Sequence, residues 1–494
     1  MRRLFLMLAC SAVLGGCATV MNPVSGEREF STMDEASEIA EGRKNHAQVL
    51  KEYPVYNNPK VQAYVNELGQ RLAKQSHRQN LEWHFTVLDT PDINAFALPG
   101  GYVYVTRGIM AYMESEADLA GVIGHEIGHV TARHGAQRAT RQQTAGIGVL
   151  AANVLGIVLE SQGLKGAGNI INQGSQGLAA GYVASYGRDQ ELQADKLGAE
   201  YLSRTHYDPK NMVDVITVLK NQERFADDLA RAEGKPPQQR GSWLASHPSN
   251  DQRLHDIQQI ATQYTGDYSD DGRARYLKVI NGISFGESAS QGLTRGRNFY
   301  HEDLGIAITA PDGWKIQNGT DALTLVNGAG DAGLIMKLVP PNAGGSHDEI
   351  IRKVFNPQQG RVERLALSGL SATHFVGNRR NQQGQVQNVE ATLVTGPGKH
   401  NFLMLYASKD AATLQRARWQ IQQAENSFRA MSASERAEVR PWSIRTVLFP
   451  RGGFAELAKR SPLAGNAEQQ LRLINGVYGG GSDPKIGQQV KVVE

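Results

Sequence analysis

Apolar residues recur at helical spacing in the first half of the chain. Residues 61–73 and 115–141 each place their apolar side chains in one stripe along a helix surface. The second stripe consists of Leu119, Val122, Ile123, Ile127 and Val130. A third helix is predicted over residues 189–204, because Asp208-Pro209 follows it as a stop signal.

Between the first two helices the pattern changes to that of β-strands. Residues 83–89 form an extended stretch, and residues 94–106 contain two β-like runs joined by "LPGG". Proline and glycine at the centre of such a segment are typical of a turn. The sequence therefore predicts a strand and then a β-hairpin immediately before the second helix.

The second half of the chain is mostly strand-like. Short apolar runs, with helices near 346–355 and 410–430, predict a separate α+β domain over residues 296–432. The preceding residues 266–295 are rich in Gly, Ser and Asp and are interpreted as a linker. Residues 443–494 follow the order β-α-α-β and are expected to form a small module of their own.

The N-terminal residues have a different character from the rest. Two arginines precede an apolar run that ends at "LGGC", which is typical of a lipoprotein signal peptide over residues 1–16. We expect Cys17 to be acylated, with a tether over residues 17–34. Because Ala18 is not acidic, we expect lipid anchoring on the periplasmic face of the bacterial outer membrane. A plain cleaved signal with a chance cysteine is the alternative.

The charge gives no support for a nucleic-acid-binding protein, and the cysteine content gives none for a disulfide-stabilised one. The formal net charge is +3, two of these charges belong to the signal arginines, and no basic run gives a case for nucleic-acid binding. Cys10 lies in the signal and Cys17 is expected to carry lipid, so no disulfide is expected.

The apolar, glycine-rich residues 146–181 are interpreted as a buried helix with a mobile neighbour, or alternatively as an active-site cover or membrane-contacting lid.

The motif "GHEIGHVTARH", residues 124–134, carries the candidate chemistry. His125 and His129 are four apart and hence about 40° apart around a helix, so both can reach one metal ion. Glu126 can then act as general base toward a zinc-activated water. His134 falls on the opposite side of a regular helix and is expected to be solvated or locally bonded. A helix that carries these residues by chance is the alternative.

A second acidic pair completes the site. Glu191 and Asp195 are four apart on the third helix, so both carboxylates face one side. Glu191 can be the third zinc ligand, and Asp195 can hydrogen-bond a ligand imidazole. A solvated acidic face is the alternative.

Four ordered motifs resemble a known family. The stretches "NAFALPGGYVYVTRGIM", "GHEIGHVTARH", "ELQADKLGAEYL" and "SHPSNDQR" are similar to those of the HtpX and CAAX-prenyl-protease type of gluzincin zinc metallopeptidases, in particular their soluble periplasmic lipoprotein branch. The resemblance covers residues 35–265, which we therefore expect to be the zinc metallopeptidase domain.

The resemblance also implies roles for the motif residues. One zinc ion per chain would be held by His125, His129 and Glu191. His247 of "SHP" would lie near the metal, where it could take the fourth coordination site and keep the enzyme latent, or swing away and donate to the oxyanion. Arg253 is a further candidate for that oxyanion role.

The hairpin suggests how a substrate binds. In such folds the strand that contains Asn94, Ala95, Phe96 and Ala97 lies beside the cleft, and an exposed edge strand can bind an extended peptide. Unfolded protein would then be the substrate class. Ordinary sheet is the alternative for these residues.

The two C-terminal segments resemble binding modules. "YHEDLGIAITAPDGWKI" is similar to PsbP-like α/β domains, and residues 443–494 resemble a LysM module, whose family binds peptidoglycan glycan chains. The usual Gly-Asp-Thr-Leu turn is replaced by Arg451-Gly452-Gly453-Phe454. The resemblance to LysM implies peptidoglycan contact as one option for this segment, whereas the replaced turn does not favour it.

The sequence thus predicts an α+β protein. A mainly helical zincin-type peptidase domain with a small sheet is followed by a separate α/β domain and a small βααβ module. We expect a membrane-anchored periplasmic zinc endopeptidase that acts on unfolded or misassembled envelope proteins. The alternatives are a latent peptidase that serves mainly as envelope chaperone or cell-wall-binding scaffold, and a peptidoglycan amidase or endopeptidase.

Overall fold

A computed structural model describes residues 18–141, 186–232, 234, 243–247, 251–319, 322–380, 386–463 and 465–494. The signal peptide predicted over residues 1–16, the lipidation site Cys17 and the apolar segment 146–181 lie outside the described residues.

The chain divides into two compact units. The first extends to Phe285 and also takes in Ser443–Glu494, and the second is Gly286–Trp442. Both contain helices and sheets, so the predicted mixed α+β class is confirmed. No helix in the described part of the chain is long and apolar enough to cross a bilayer.

The first unit is mainly helical. Its described helices before residue 286 are α1 (Glu35–Glu52), α2 (Pro59–Ala73), α3 (Arg107–Tyr112), α4 (Glu116–Thr131), α5 (Arg188–Arg204), α6 (Asn211–Ala232), α7 (Trp243–Ser246), α8 (Asp251–Ala261) and α9 (Arg273–Ile280). Its strands in the same range are β1 (Ala18–Met21), β2 (Arg28–Ser31), β3 (His84–Leu88), β4 (Ala95–Leu98), β5 (Tyr102–Thr106) and β6 (Ser284–Phe285).

Helix α4, which carries the histidine motif, begins at a complete capping box. The Ser115 side chain accepts a hydrogen bond from the Asp118 N–H, and the Asp118 carboxylate accepts one from the Ser115 N–H. All residues of α4 are buried, on every side of the helix. A helix with no exposed side lies in the core of its domain.

The small sheet beside α4 has the order β3-β5-β4. Strand β5 pairs parallel with β3 and antiparallel with β4, so the predicted hairpin is confirmed. Its turn requires glycine, because Gly100 and Gly101 have φ angles of 81° and 96°. A Cβ on Gly101 would also lie only 2.4 Å from the carbonyl oxygen of Glu82.

The second unit is built around antiparallel sheets. Its strands are β7 (Leu293–Arg295), β8 (Asn298–His301), β9 (Ile306–Thr309), β10 (Lys315–Asn318), β11 (Leu323–Val326), β12 (Ala332–Leu338), β13 (Gln359–Leu367), β14 (Leu370–Arg380), β15 (Val386–Thr395), β16 (Asn401–Ser408) and β17 (Arg429–Ala430). Its helices are α10 (His347–Phe355), α11 (Ala411–Asn426) and α12 (Ala433–Glu438). The two helices predicted near 346–355 and 410–430 are thus present as α10 and α11.

A seven-stranded sheet of order β10-β11-β12-β16-β15-β14-β13 forms the centre of this unit, beside a four-stranded sheet of order β17-β9-β8-β7. One core cluster joins residues of both sheets to the buried side of α11, including Ile308, Leu334, Phe402, Ile421 and Phe428. The alternation of buried and partly exposed residues along β16 fits a strand with one face on this core.

The residues predicted as a linker contain regular structure. Helix α9, strand β6 and strand β7 all lie between residues 266 and 295. Tyr276, Leu277 and Ile280 form a buried side of α9, and the Tyr276 hydroxyl donates to the carbonyl of Met110. The high content of Gly, Ser and Asp led to the prediction of a linker, although a short amphipathic helix is present there.

The C-terminal segment follows the predicted β-α-α-β order, as β18 (Trp442–Leu448), α13 (Gly453–Ala458), α14 (Ala467–Ile474) and β19 (Gln489–Val493). Strand β18 lies between β19 and β6 in a three-stranded sheet. Most of the segment therefore belongs to the same compact unit as the histidine motif. Its likeness to LysM stays a prediction.

A buried lysine fastens this segment near the start of α4. The Lys491 ammonium group donates to the carbonyls of Ala111 and Met113 at 3.1 and 2.6 Å, and lies 2.7 Å from a Glu114 carboxylate oxygen. Burial lowers the pKa of Lys491, while Glu114 opposes that shift. A lysine of the last strand thus supplies the hydrogen-bond donor for carbonyls at the end of α3.

Candidate metal centre

The two motif histidines lie side by side on α4. Their Nε2 atoms are 3.0 Å apart, and both side chains are buried. This is the shared face that a spacing of four residues predicts.

Helix α5 approaches α4 closely enough to bring Glu191 to the histidines. A Cβ on Gly128 would lie 2.9 Å from the carbonyl oxygen of Ala194, so this approach requires glycine. The Glu191 carboxylate oxygens then lie 3.6 Å from His125 Nε2 and 3.5 Å from His129 Nε2.

A fourth residue comes from the segment that follows α7. His247 Nδ1 is 3.2 Å from His125 Nε2 and 3.1 Å from Glu191 Oε1. Burial lowers the pKa of His247, but the carboxylates of Glu191 and Glu126 outweigh burial, and the net shift is upward. We refer to His125, His129, Glu191 and His247 as the ligand cluster.

The ligand cluster fits zinc. Its ligand-forming atoms all lie within 4.8 Å of one another, and the pairs given above are 3.0 to 3.6 Å apart. A tetrahedral zinc ion with bonds of about 2.0 to 2.2 Å separates its ligands by about 3.3 to 3.6 Å. Imidazole nitrogens and a carboxylate oxygen are the donors that suit this ion.

Glu126 presents one unpaired oxygen at the edge of the cluster. Its Oε1 accepts a hydrogen bond of 3.0 Å from the indole N–H of Trp243. Its Oε2 is buried and has no hydrogen-bond partner within the described ranges. Such an oxygen can accept a proton from a water molecule beside the cluster. Sequence reasoning missed Trp243, since no pattern links it to a glutamate 117 residues away.

Asp195 lies behind His125, on the side away from the cluster. Its Oδ1 is 2.8 Å from His125 Nδ1, so the aspartate can hold the N–H there and leave Nε2 for a metal. Arg253 donates to both Asp195 oxygens at 2.8 and 2.9 Å. Burial would raise the pKa of Asp195, but the Arg253 charge and these hydrogen bonds hold it well below its usual range.

Arg253 contacts three residues of the site. Besides its two bonds to Asp195, its Nη1 lies 2.9 Å from Glu191 Oε2 and donates to the His247 carbonyl at 2.9 Å. The guanidinium group therefore holds α5 and the His247 segment together. Its predicted oxyanion role stays a prediction.

His134 stays outside the ligand cluster and is locally bonded, which was one of the two expected outcomes, although it lies beside His129 and not on the opposite side of the helix. Its Nδ1 lies 2.8 Å from His129 Nδ1 and its Nε2 lies 3.0 Å from Gln193 Oε1. Helix α4 ends at Thr131, and Arg133 has a φ of 60°, so the regular helical angle does not extend to residue 134. Burial lowers the pKa of His134 to about 4.

Tyr186 also borders the site. The Tyr186 ring stacks on His129 with centroids 3.9 Å apart and planes 17° from parallel. Nothing in the sequence pattern indicated this contact.

The hairpin strand lies next to the cluster, as the sequence suggested. Strand β4 is an edge strand of its sheet, and a small cavity is lined by Ala97, Leu98 and Pro99 on one side and by His129 and Tyr186 on the other. Residues 95–98 are buried, and Asn94, which precedes the strand, is partly exposed. A role for this edge in binding peptide stays a prediction.

Residues 59–261 match the sequence model of the family described as peptidase family M48. This segment is an M48 peptidase domain. The predicted recognition of a zinc metallopeptidase is thereby confirmed for the domain, and zinc as its cofactor agrees with both the family and the ligand cluster.

The M48 domain also has curated relatives. The chain is 30% identical over 245 residues to the beta-barrel assembly-enhancing protease of Yersinia pestis. This match covers 49% of this chain and 47% of the relative. It is 28% identical over 243 residues to the mitochondrial metalloendopeptidase OMA1 of Schizosaccharomyces pombe, covering 48% of this chain and 65% of the relative. The chain thus spans about half the length of the first of these relatives.

One solved structure shows a partial likeness to the chain. The cyanobacterial PsbP protein of Synechocystis covers 28% of this chain and 98% of its own length, with 13% identity and a TM-score of 0.20. A likeness of that size carries no argument about this chain.

Proposed function

We propose that this protein is a zinc endopeptidase, anchored by lipid to the periplasmic face of the outer membrane, that cleaves unfolded or misassembled envelope proteins. The observation that supports it most is the convergence of four ligand atoms beside the unpaired oxygen of Glu126. This arrangement supplies a metal site and a base at one point of the M48 domain.

The residues divide the work of peptide hydrolysis. Bound zinc would serve as a Lewis acid for the scissile carbonyl and lower the pKa of the attacking water. Glu126 takes one proton from that water as its oxygen forms a bond to the carbonyl carbon. Glu126 then passes the proton to the amide nitrogen and the C–N bond breaks; the second proton of the water also passes to the amine, so that a carboxylate and an ammonium group are released. Asp195 and Arg253 keep His125 and Glu191 in place meanwhile.

The substrate class follows from the strand edge and the relatives. An extended peptide can pair with β4, next to the cavity that borders His129. An unfolded segment supplies such a peptide, whereas a folded protein does not. One curated relative is named for beta-barrel assembly, and together with the lipoprotein signal this favours envelope proteins as substrates.

A Glu126→Gln variant of the full chain tests the base. Gln cannot accept the proton, so cleavage of unfolded casein should fall by about 10² to 10⁴-fold while one zinc ion per chain stays bound. Glu67→Gln is the matched control, because Glu67 is exposed on α2 and should leave the rate unchanged. Equal rates for Glu126→Gln and wild type would exclude Glu126 as the base.

A second candidate, a latent peptidase that acts mainly as chaperone or cell-wall scaffold, is favoured by one observation. His247 lies within the ligand cluster, at 3.1 Å from Glu191 Oε1 and 3.2 Å from His125 Nε2. A fourth protein ligand closes a zinc site, whereas catalysis needs that place for water.

His247→Ala separates the two candidates. If His247 blocks the fourth place, its removal should raise casein cleavage several-fold with zinc retained. His255→Ala is the control, since His255 is exposed on the following helix. A lower rate in His247→Ala would instead indicate that this histidine serves the reaction. Absence of cleavage in every variant despite bound zinc would favour the binding function.

A further inference from the structure

The end of α4 is bent in a way that costs free energy. Arg133 has a φ of 60°, a left-handed conformation that is unfavourable for a non-glycine residue. The Arg133 guanidinium donates to Glu38 Oε2 at 2.9 Å and to the Met33 carbonyl at 2.8 Å. Glu38 is itself buried and accepts a second bond of 2.7 Å from Arg78. Buried partners on the N-terminal side of the unit therefore hold the bend.

The bend determines where His134 lies. On a continuous helix, nine residues after His125 would bring it to the far side. With Arg133 left-handed, the His134 ring turns back until its Nδ1 is 2.8 Å from His129 Nδ1. Its side chain is fully buried. His134 thus contacts the ring edge of His129 that faces away from the ligand cluster.

The hydrogen-bond partners determine where the protons are. Gln193 Oε1 can only accept, so His134 Nε2, 3.0 Å away, carries the hydrogen. The neutral His134 ring then has a lone pair at Nδ1, which accepts from the N–H at His129 Nδ1. His129 Nε2 is left without a hydrogen and faces Glu191, whose Oε1 is 3.5 Å away. This is the tautomer that metal ligation through Nε2 requires.

We propose that His134 is a positioning residue for the metal site, which fixes the tautomer and ring orientation of His129, with Gln193 behind it and the Glu38–Arg133 pair holding the bend. The inference rests on the proposed zinc site. Asp195 contacts His125 in the corresponding way. The two histidines are thus oriented by different chemistry, a carboxylate for His125 and an imidazole–amide chain for His129.

Zinc affinity of the full chain, measured by competition with a chromophoric chelator, tests the proposal without relying on cleavage. His134→Phe keeps a ring but removes the acceptor, and the zinc dissociation constant should rise about 10 to 100-fold. His134→Asn restores an acceptor on a short side chain and should recover part of the affinity. Gln193→Leu should raise the dissociation constant in the same direction. His255→Ala, on an exposed residue, should not change it.

Three outcomes separate this inference from the proposed function. If the wild type binds no zinc, the proposed function fails. If the wild type binds zinc and both His134→Phe and Gln193→Leu bind it equally well, the positioning role is overturned while the peptidase survives. If His134→Phe does not fold, Gln193→Leu decides alone, since Gln193 is only partly buried and an unchanged affinity in that variant overturns the role.

Discussion

Both units of the chain bring a histidine, a carboxylate and an arginine together, but the two groups differ in how many ligand-forming atoms converge on one space. In the second unit His374, Glu390, Thr392 and Arg418 form what we call the sheet network. There each acceptor faces a donor, with Arg418 bonded to both Glu390 oxygens at 2.5 and 2.7 Å and His374 Nδ1 2.8 Å from the Thr392 hydroxyl. In the ligand cluster of the first unit, four ligand-forming atoms instead lie within 4.8 Å of one another, and Glu191 also lies 2.9 Å from Arg253 Nη1.

The backbone explains the difference. In the antiparallel sheet His374 lies directly opposite Thr392, so neighbouring side chains stand in pairs along the face. Two closely packed helices instead direct residues four apart on each helix toward one point. The comparison teaches that a histidine beside an acid and an arginine does not identify a metal site. The convergence of four ligand-forming atoms on one space does so.

The largest effect should come from removing the shared carboxylate. Glu191→Gln takes a charged ligand from the cluster, and the zinc dissociation constant should rise on the order of 100-fold or more, because structural zinc binding of about 10 to 16 kcal/mol is divided among four ligands. Glu390→Gln in the sheet network is the matched control and should leave zinc binding unchanged. Chelator competition on the full chain measures both. Equal loss in the two variants would mean that the contrast between the clusters is wrong.

A second effect, on stability and not on zinc binding, should come from the two arginines. Arg253 is 7% exposed and its partner Asp195 is fully buried, so Arg253→Met leaves an uncompensated buried charge and should destabilise the first unit by about 3 to 5 kcal/mol. Arg418 is 37% exposed, water can replace it, and Arg418→Met should cost the second unit about 1 kcal/mol.

Urea unfolding in chelator, followed by hydrogen exchange of peptides from each unit, measures these two costs separately. The chelator prevents bound zinc from masking the loss. Equal destabilisation by the two substitutions would show that burial of the arginine does not distinguish the clusters.

Local rules predicted much of the site. The spacing of His125 and His129, and that of Glu191 and Asp195, determined which residues share a helix face, and "LPGG" predicted the hairpin turn. Each of these features depends on residues within a few positions of one another. Within α4 and α5 the backbone is regular, so the rule of about 100° per residue applies.

The features that the sequence did not predict depend on distant residues. His134 reaches His129 only because Arg133 is left-handed, and Arg133 is held by Glu38, 95 residues earlier in the chain. The C-terminal segment looked independent because its βααβ order is complete, and no local pattern shows that Lys491 donates to carbonyls near α4. Tertiary contacts decided both, and a single sequence carries no direct signal of them.

The smallest effect, and the sharpest check of the contrast, should come from His374. Its Nε2 is 3.5 Å from Glu390 Oε1, a distance equal to that between His129 Nε2 and Glu191 Oε1 in the ligand cluster. Distance alone would therefore assign metal to both. Because the sheet network offers one histidine and one carboxylate, fewer than the three protein ligands of a catalytic zinc site, His374→Asn should leave the zinc content at one per chain and casein cleavage within about twofold of wild type. Elemental analysis of the two proteins is the measurement, and a fall in zinc content would show that the sheet network also binds metal.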